Sequence, residues 1–559
     1  MLILIASASF AVKLRNLGHA AVTYWDESFH ALVAKNLLKH PLKPTLIDIP
    51  YLPYDFKSWG ANHVWLHKPI LPMWTIALSY AAFGTTALAL RLPSALLSVG
   101  AVVLTYLIGA ELLDKRAGLI AAALQGFAPI FTELTHGYLY SDHIDIALLF
   151  WTELGVYFVA RTVRTGKLRA AALAGAAQGL AYLSKSYLAA IVLGVALTAW
   201  LLPYVRLGST EKMRLRGKHL LVLMGSTIAV AAPWTIFCIV QYPNEFWHEH
   251  EYVWRHLNTD IEKWGAPWDR LMFDYAIRMA HVFYTPAIVA CVGMFWRAYS
   301  EKNGKLWLVL AWGFGVVVPH VLSQTKTPSA TAFGMPAFYL ILGMLMSNAF
   351  KGRRWELFLW TGISLLCLVL PPSIPTYWGR GFPDPPAFGA VMRTQLWVVW
   401  HAAGALLIAG ALALGGRLFQ KRAAHMSAAA FCAAVTLFLG WQMAQTNWAV
   451  VERNRMEPTF SDIADFARES LPENAALLFE YDDEKKNYGE HQLTNLLLDR
   501  TCYKYDNQDY ESKAKQIVEA GGVPYIVTFR ELPLPVEFHS ERYDRTIYRW
   551  QPDDSESEE

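Results

Sequence analysis

Two adjacent carboxylates, Asp26 and Glu27, stand in the aromatic run Tyr24-Trp25-Asp26-Glu27-Ser28-Phe29-His30, close behind an apolar N-terminus. A carboxylate so placed can act as general base on an acceptor hydroxyl. Further polar groups interrupt an otherwise apolar chain: His67 and Lys68, then Asp142, His143 and Asp145, Lys185, the Glu245–His256 run, and Lys326. Lysines can hold the phosphate of a leaving group and offset the charge it gains. Carboxylates together with lysines therefore suit transfer of a group carried on a lipid phosphate. Taken singly, each residue is also compatible with a solvated loop. Charges at a membrane edge are costly enough to point to function, and their shared sidedness, derived below, counts for more than any one of them.

The chain has 559 residues, of which 54% are hydrophobic and 17% charged, with a mean hydropathy of +0.24. An ordinary soluble domain carries about 25% charged residues. Apolar stretches near the length needed to cross a bilayer, about 20 residues, recur through position 446. The chain reads as a polytopic membrane protein. Its net charge of +3 is uninformative, because the distribution of charge matters more than the sum. The five cysteines are scattered and form no CxxC, so neither a disulfide framework nor a thiolate metal site is indicated. There is no GxGxxG, no P-loop and no internal repeat, and no nucleic-acid partner is expected.

Residues 1–12 are apolar but short for a span and lack the marks of a signal peptide; they read as the end of a first helix with a start upstream. Residues 26–39 suggest an interfacial helix, with Phe29, Leu32, Val33, Leu37 and Leu38 roughly on one side. Residues 70–84 are apolar but too short to cross. Regular candidate spans follow at 92–113, 117–132, 145–163, 170–185, 188–206, 219–240, 272–296, 305–322, 331–349, 355–370, 396–416 and 427–446, giving about thirteen with the first helix.

Loop charge sets the orientation. Alternate loops carry Lys115 and Arg116, Arg161 to Arg169, Arg206 to Lys218, Arg297 to Lys305, Lys351 to Arg354, and Arg417 to Arg422, and these read as cytoplasmic. The intervening loops are mostly poorer in Lys and Arg and richer in His, Asp, Glu and Trp; Lys13 and Arg15 go against the trend. The alternation holds only if 70–84 does not cross. All the polar groups above then share the extracytoplasmic face. From Asn447 the sequence turns polar and predicts a small α/β domain on that face: helices at 459–470, 488–498 and 512–520, strands at 475–480, 525–529 and 543–550, and a disordered acidic tail from Asp553. The expected fold is thus an all-α bundle over 1–446 with an extracytoplasmic α/β domain over 447–559.

Several motifs occur in a telling order: Asp26-Glu27, Lys68-Pro69, Arg91-Leu92-Pro93-Ser94-Ala95, Asp145-Ile146-Ala147-Leu148, Gly179-Leu180-Ala181-Tyr182-Leu183-Ser184-Lys185, Pro233-Trp234, and Ser323 to Pro336. Together they resemble the glycosyltransferases of C-type fold, within them the aminoarabinose transferase and protein mannosyltransferase superfamily, over roughly residues 20–340. The resemblance implies an inverting hexosyl or pentosyl transferase with a polyprenyl-phosphate-sugar donor and no nucleotide. It implies an active site on the extracytoplasmic face of a membrane, read as a prokaryotic inner membrane. Position by position, Asp26 matches the catalytic first-loop Asp, and Asp145 matches the second-loop Asp, with Asp142 competing. Lys68 and Lys185 match lysines near the donor phosphate, and Lys326 resembles a further lipid-phosphate contact.

In aminoarabinose transferases a Glu precedes the first-loop Lys-Pro and helps bind a metal with a later His. Here that Glu is replaced by His67, and the later partner would be His250. Two imidazoles could hold a divalent metal such as Zn²⁺, or could be ordinary interfacial histidines. The acceptor stays open among lipid A phosphate, another glycan and protein. The alternative from another class is a non-enzymatic lipid or polysaccharide transporter or binding protein. A transporter would more often place charges at mid-membrane on broken helices, with a repeat between its halves; here the charges lie at one edge.

Overall fold

In the computed structural model the described residues are 1–19, 21–23, 26–57, 63–137, 142–205, 213–259, 281–324, 328–351, 353–369, 422–452, 461–481, 490–498, 500–506 and 509–551. They pack into two compact units. One comprises Met1–Arg15, Ser94–Ile236 and Tyr252–Arg453, and the other Asn16–Pro93, Phe237–Glu251 and Asn454–Glu559. Packing therefore joins the first loop to the C-terminal region, where composition alone draws a line at Asn447.

The larger unit is helical. Among the described residues, five helical stretches are long and apolar enough to cross a membrane: Ala87–Leu112, His143–Thr165, Leu168–Tyr204, Gly217–Gln241 and Thr331–Phe350. The pair Lys115–Phe127 and Pro129–Thr135 makes a sixth if counted as one span; it bends by 48°, at Pro129, which cannot donate a backbone hydrogen bond. Expected span 396–416 lies outside the described residues. Helix Met335–Phe350 is buried along all but its last residue, the pattern of a central bundle helix.

The stretch 168–204 is not one rod. The helix Leu168–Lys185 ends where Lys185 (φ −151°, ψ 47°) and Ser186 (φ 48°, ψ −131°) leave helical conformation. The next helix, Ile191–Leu201, brings Val192 against Gly155, halfway down the helix Asp142–Thr165. Further on, Arg214 N donates to Val163 O, at the far end of that same helix. The chain thus reverses at Lys185, as the separate expectations for 170–185 and 188–206 require.

The second unit holds a five-stranded mixed sheet in the order β2-β1-β3-β5-β4. Its strands are β1 (Ala475–Glu480), β2 (Thr501–Tyr505), β3 (Val523–Thr528), β4 (Val536–Ser540) and β5 (Arg545–Arg549). β2, β1 and β3 are parallel, and β5 and β4 run antiparallel beside β3. Central β1 is buried at every residue, as a strand covered on both faces should be. The first loop lies along the β2 edge. Thr501 Oγ1 donates to Ile49 O at 2.7 Å, and Tyr503 Oη accepts from Tyr51 N at 2.7 Å and Leu52 N at 3.1 Å.

One expectation changes here. Helix Asp26–Leu37 is buried at every residue except Lys35, so it is not a one-sided interfacial helix. Helices Ile70–Phe83 and Glu490–Leu498 pack against it, and Lys35 Nζ donates to Leu496 O. Ile70–Phe83 itself has 14 residues, about 21 Å, short of the ~30 Å hydrocarbon core.

Candidate active site

Asp26 and Glu27 occupy the first turn of helix Asp26–Leu37, with Lys35 in its last turn, a charge order that complements the helix dipole. Neighbouring helical side chains diverge by about 100°, and the two carboxylates accordingly meet different partners. Glu27 Oε1 accepts from Arg91 Nε at 2.6 Å and Oε2 from Arg91 Nη2 at 2.8 Å. Thr23 N and Oγ1 donate to the same Oε2 at 2.7 and 2.9 Å. Arg91 also donates from Nη1 to Leu17 O and from Nη2 to Ala21 O. Both members of the pair are buried. Glu27 is therefore committed to fixing the helix start. Asp26 Oδ2 instead lies 3.9 Å from Lys68 Nζ, in a pair that keeps partial access to solvent.

Lys68 follows His67 and precedes Pro69, which leads into helix Ile70–Phe83. His67 Nδ1 lies 3.0 Å from Glu249 Oε2. Burial pushes the His67 imidazole below its ordinary value, so at neutral pH the ring is neutral with Nδ1–H donating. Burial alone would raise the Glu249 carboxyl, but His67 beside it turns the net shift downward. His250 Nδ1–H donates to Phe246 O one turn back in its own helix, at 2.8 Å. The structure thus joins His67 to Glu249, one residue before the partner expected from the sequence. A catalytic zinc takes three protein ligands. Among the described residues no three His, Cys, Asp or Glu gather in one place. The His67, His250 and Glu249 groups do not make up such a set.

In the larger unit, Asp145 lies in the first turn of helix Asp142–Thr165, and Lys185 is the last residue of helix Leu168–Lys185. The antiparallel packing of these helices brings Lys185 Nζ onto Asp145 Oδ1 in a short ion pair. His143 Nδ1 is 2.9 Å from Ser94 Oγ. The helix carrying Lys185 sits close against helix Gly217–Gln241. A Cβ at Gly179 would lie 2.7 Å from Val230 Cβ, and one at Gly175 would run into the Leu223 backbone. Asp142 is the first residue of its helix, with its side chain outside the described set, and Lys326 lies outside the described residues.

Sequence reasoning missed Glu249 as the partner of His67 and assigned no role to Arg91. A lone Arg at the head of an apolar helix is a signal it could have used.

Residues 67–237 match the family model described as dolichyl-phosphate-mannose-protein mannosyltransferase. The chain is 28% identical over 313 residues to the undecaprenyl phosphate-α-4-amino-4-deoxy-L-arabinose arabinosyl transferase 1 of Pseudomonas fluorescens, covering 53% of this chain and 52% of the relative. It is 26% identical over 328 residues to the corresponding transferase of Pseudomonas aeruginosa, covering 53% and 52%. The chain thus spans about half the length of these curated relatives. The crystal structure of ArnT from Cupriavidus metallidurans bound to undecaprenyl phosphate superposes with a TM-score of 0.59 at 17% identity, covering 98% of this chain and 97% of that one. The apo oligosaccharyltransferase of Archaeoglobus fulgidus gives 0.54 at 14% identity, over 94% and 69%. The fold is that of the C-type glycosyltransferases.

Proposed function

We propose that this chain, with its C-type glycosyltransferase fold, moves a sugar from a polyprenyl-phosphate donor to an acceptor on the extracytoplasmic face of a prokaryotic inner membrane. The observation that carries the reading is the Asp26–Lys68 pair, 3.9 Å apart at a helix start whose orientation Arg91 fixes through Glu27. A base and a phosphate-binding cation sit side by side, as displacement at an anomeric carbon bonded to phosphate requires. The Asp145–Lys185 pair offers a second carboxylate and a second cation of the same kind.

In this reading Asp26 takes the proton of an acceptor hydroxyl as that oxygen attacks the anomeric carbon. The carbon–oxygen bond to phosphate breaks, and its electron pair leaves on the phosphate. Lys68 offsets the charge the leaving group gains; Lys185 is the second candidate for that role, on the resemblance alone. A single displacement inverts the anomeric centre. A phosphate acceptor, already anionic, would need Asp26 less than a hydroxyl would.

The placement of the site outside the membrane rests on loop charge. In the larger unit, the end of the 142–165 helix marked by Val163 and Gly166 gathers Arg214 and His219, opposite the end with Asp145 and Lys185. The α/β sheet is read as extracytoplasmic for the same reason. Mass spectrometry of lipids and glycoproteins from a deletion strain beside its complemented parent tests the reading. Loss of one sugar substituent, restored on complementation, supports it. Unchanged lipid and glycoprotein profiles overturn it.

A further inference from the structure

The long first loop meets one helix at several points. Helix Pro243–Asn258 turns its buried Glu245, Phe246 and Glu249 inward while Trp247 stays 60% exposed. Glu245 and Glu249 are one turn apart and share a face. Tyr54 Oη donates to Glu245 Oε1 in a short hydrogen bond, the Phe56 ring meets the His248 ring edge-on at 5.7 Å, and His67 donates to Glu249 at 3.0 Å. Tyr54 and His67 are therefore both pinned to one helical face, by Glu245 and Glu249. A buried carboxylate is costly unless hydrogen-bonded, so Glu249 holds His67 firmly. His67 is covalently next to Lys68, and Pro69 restricts the Lys68 backbone to extended conformations.

We propose that Glu249 is a positioning residue for the donor phosphate: through His67 it fixes the turn that sets Lys68 Nζ beside Asp26. The inference rests on the donor-binding role read for Lys68 above. It assigns the pair a positional role, in which the hydrogen bond matters and the side of the pair carrying the imidazole does not. Glu249 acts through His67 and Lys68, so its loss loosens Lys68.

The test is binding of undecaprenyl phosphate to the purified full chain in nanodiscs, read by microscale thermophoresis. The variants are Glu249→Ala, Glu249→Gln, Lys68→Ala and the exchange His67→Glu with Glu249→His, with melting temperature recorded for each. Loss of one hydrogen bond predicts a roughly 5- to 10-fold weaker Kd for Glu249→Ala. Glu249→Gln, which keeps an acceptor oxygen, should lose less, and the exchange should restore affinity to within about 3-fold of the parent. A melting temperature that falls equally in Glu249→Ala and the exchange, with no recovery of Kd, overturns the proposal. So does an unchanged Kd in Glu249→Ala when Lys68→Ala weakens binding; the donor reading of Lys68 then stands and only the positioning fails. If Lys68→Ala also binds normally, both fall.

Discussion

Arg91 grips Glu27 at two points, Nε to Oε1 at 2.6 Å and Nη2 to Oε2 at 2.8 Å, with both side chains withdrawn from solvent. Of two adjacent acids one is thereby committed to structure, and its neighbour Asp26 is the one left beside a lysine. Removing one partner of a buried ion pair costs about 3–5 kcal/mol, because the other is left charged and uncompensated. Arg91→Ala and Glu27→Ala should therefore lower the melting temperature sharply in detergent. Asp26→Asn should barely move it. A cooperative melt of Arg91→Ala at the parental temperature would show that the grip does not hold the helix start.

Packing around Lys185 gives a second prediction. A Cβ at Gly175 would run into the Leu223 backbone, whereas one at Gly225, on the helix that carries Leu223, meets nothing within 4 Å. Gly175→Ala forces the two helices apart at a cost of about 1–3 kcal/mol. It should also weaken donor binding, because Lys185 ends the displaced helix. Gly225→Ala removes backbone freedom in a helix interior and should be neutral or stabilising by up to about 1 kcal/mol. Melting temperatures of the two variants check this, and equal shifts would count against the close packing.

Glu153 supplies a third. Buried among helices, its carboxyl accepts from Thr105 Oγ1 at 2.9 Å and Gln125 Nε2 at 2.6 Å, tying together three helices. Glu153→Ala takes this acceptor from the buried Gln125 amide nitrogen, at about 1–3 kcal/mol, while Thr105 Oγ1 keeps Gln125 Oε1. Glu153→Gln keeps an acceptor oxygen and should cost clearly less. The ordering of their melts tests the clasp, and a reversed ordering would remove it.

Orientation is open to a labelling experiment. Loop charge predicts that a cysteine placed at Asp55 reacts with an impermeant maleimide from outside, and one placed at Lys212 only after lysis. Labelling of both from the same side of intact cells would overturn the sidedness proposed for the site.

Much of the chain was legible because its signals are local. β1 announces itself as the continuous apolar run Ala475–Phe479, and the helix through Asp145 is set by periodic apolar residues. β2 and β4 were missed for opposite reasons. Thr501–Tyr505 mixes polar and aromatic residues, and Val536–Ser540 is an edge strand with mostly exposed side chains, so neither carries a clear pattern. The full burial of Asp26–Leu37 depends on Glu490–Leu498 packing against it, from more than four hundred positions later in the chain. The choice of Glu249 over His250 turns on helix rotation: the two point about 100° apart, and among the described residues it is Glu249, with Glu245 one turn earlier, that meets His67 and Tyr54 of the first loop. Sequence spacing brought the right turn of helix into view but left its facing side undetermined.

The most direct test of the central claim is single-turnover transfer of labelled sugar by Asp26→Asn beside Glu27→Gln, using the polyprenyl-phosphate sugar and acceptor that the deletion strain reveals. Asp26→Asn keeps side-chain size and loses basicity, and general base catalysis contributes about 10²- to 10⁴-fold. For a hydroxyl acceptor, transfer by Asp26→Asn should fall by that order while undecaprenyl phosphate binds as tightly as to the parent, and Glu27→Gln should lose less in rate and more in melting temperature. Near-normal transfer by Asp26→Asn, with transfer abolished in a folded Glu27→Gln, would contradict the assignment.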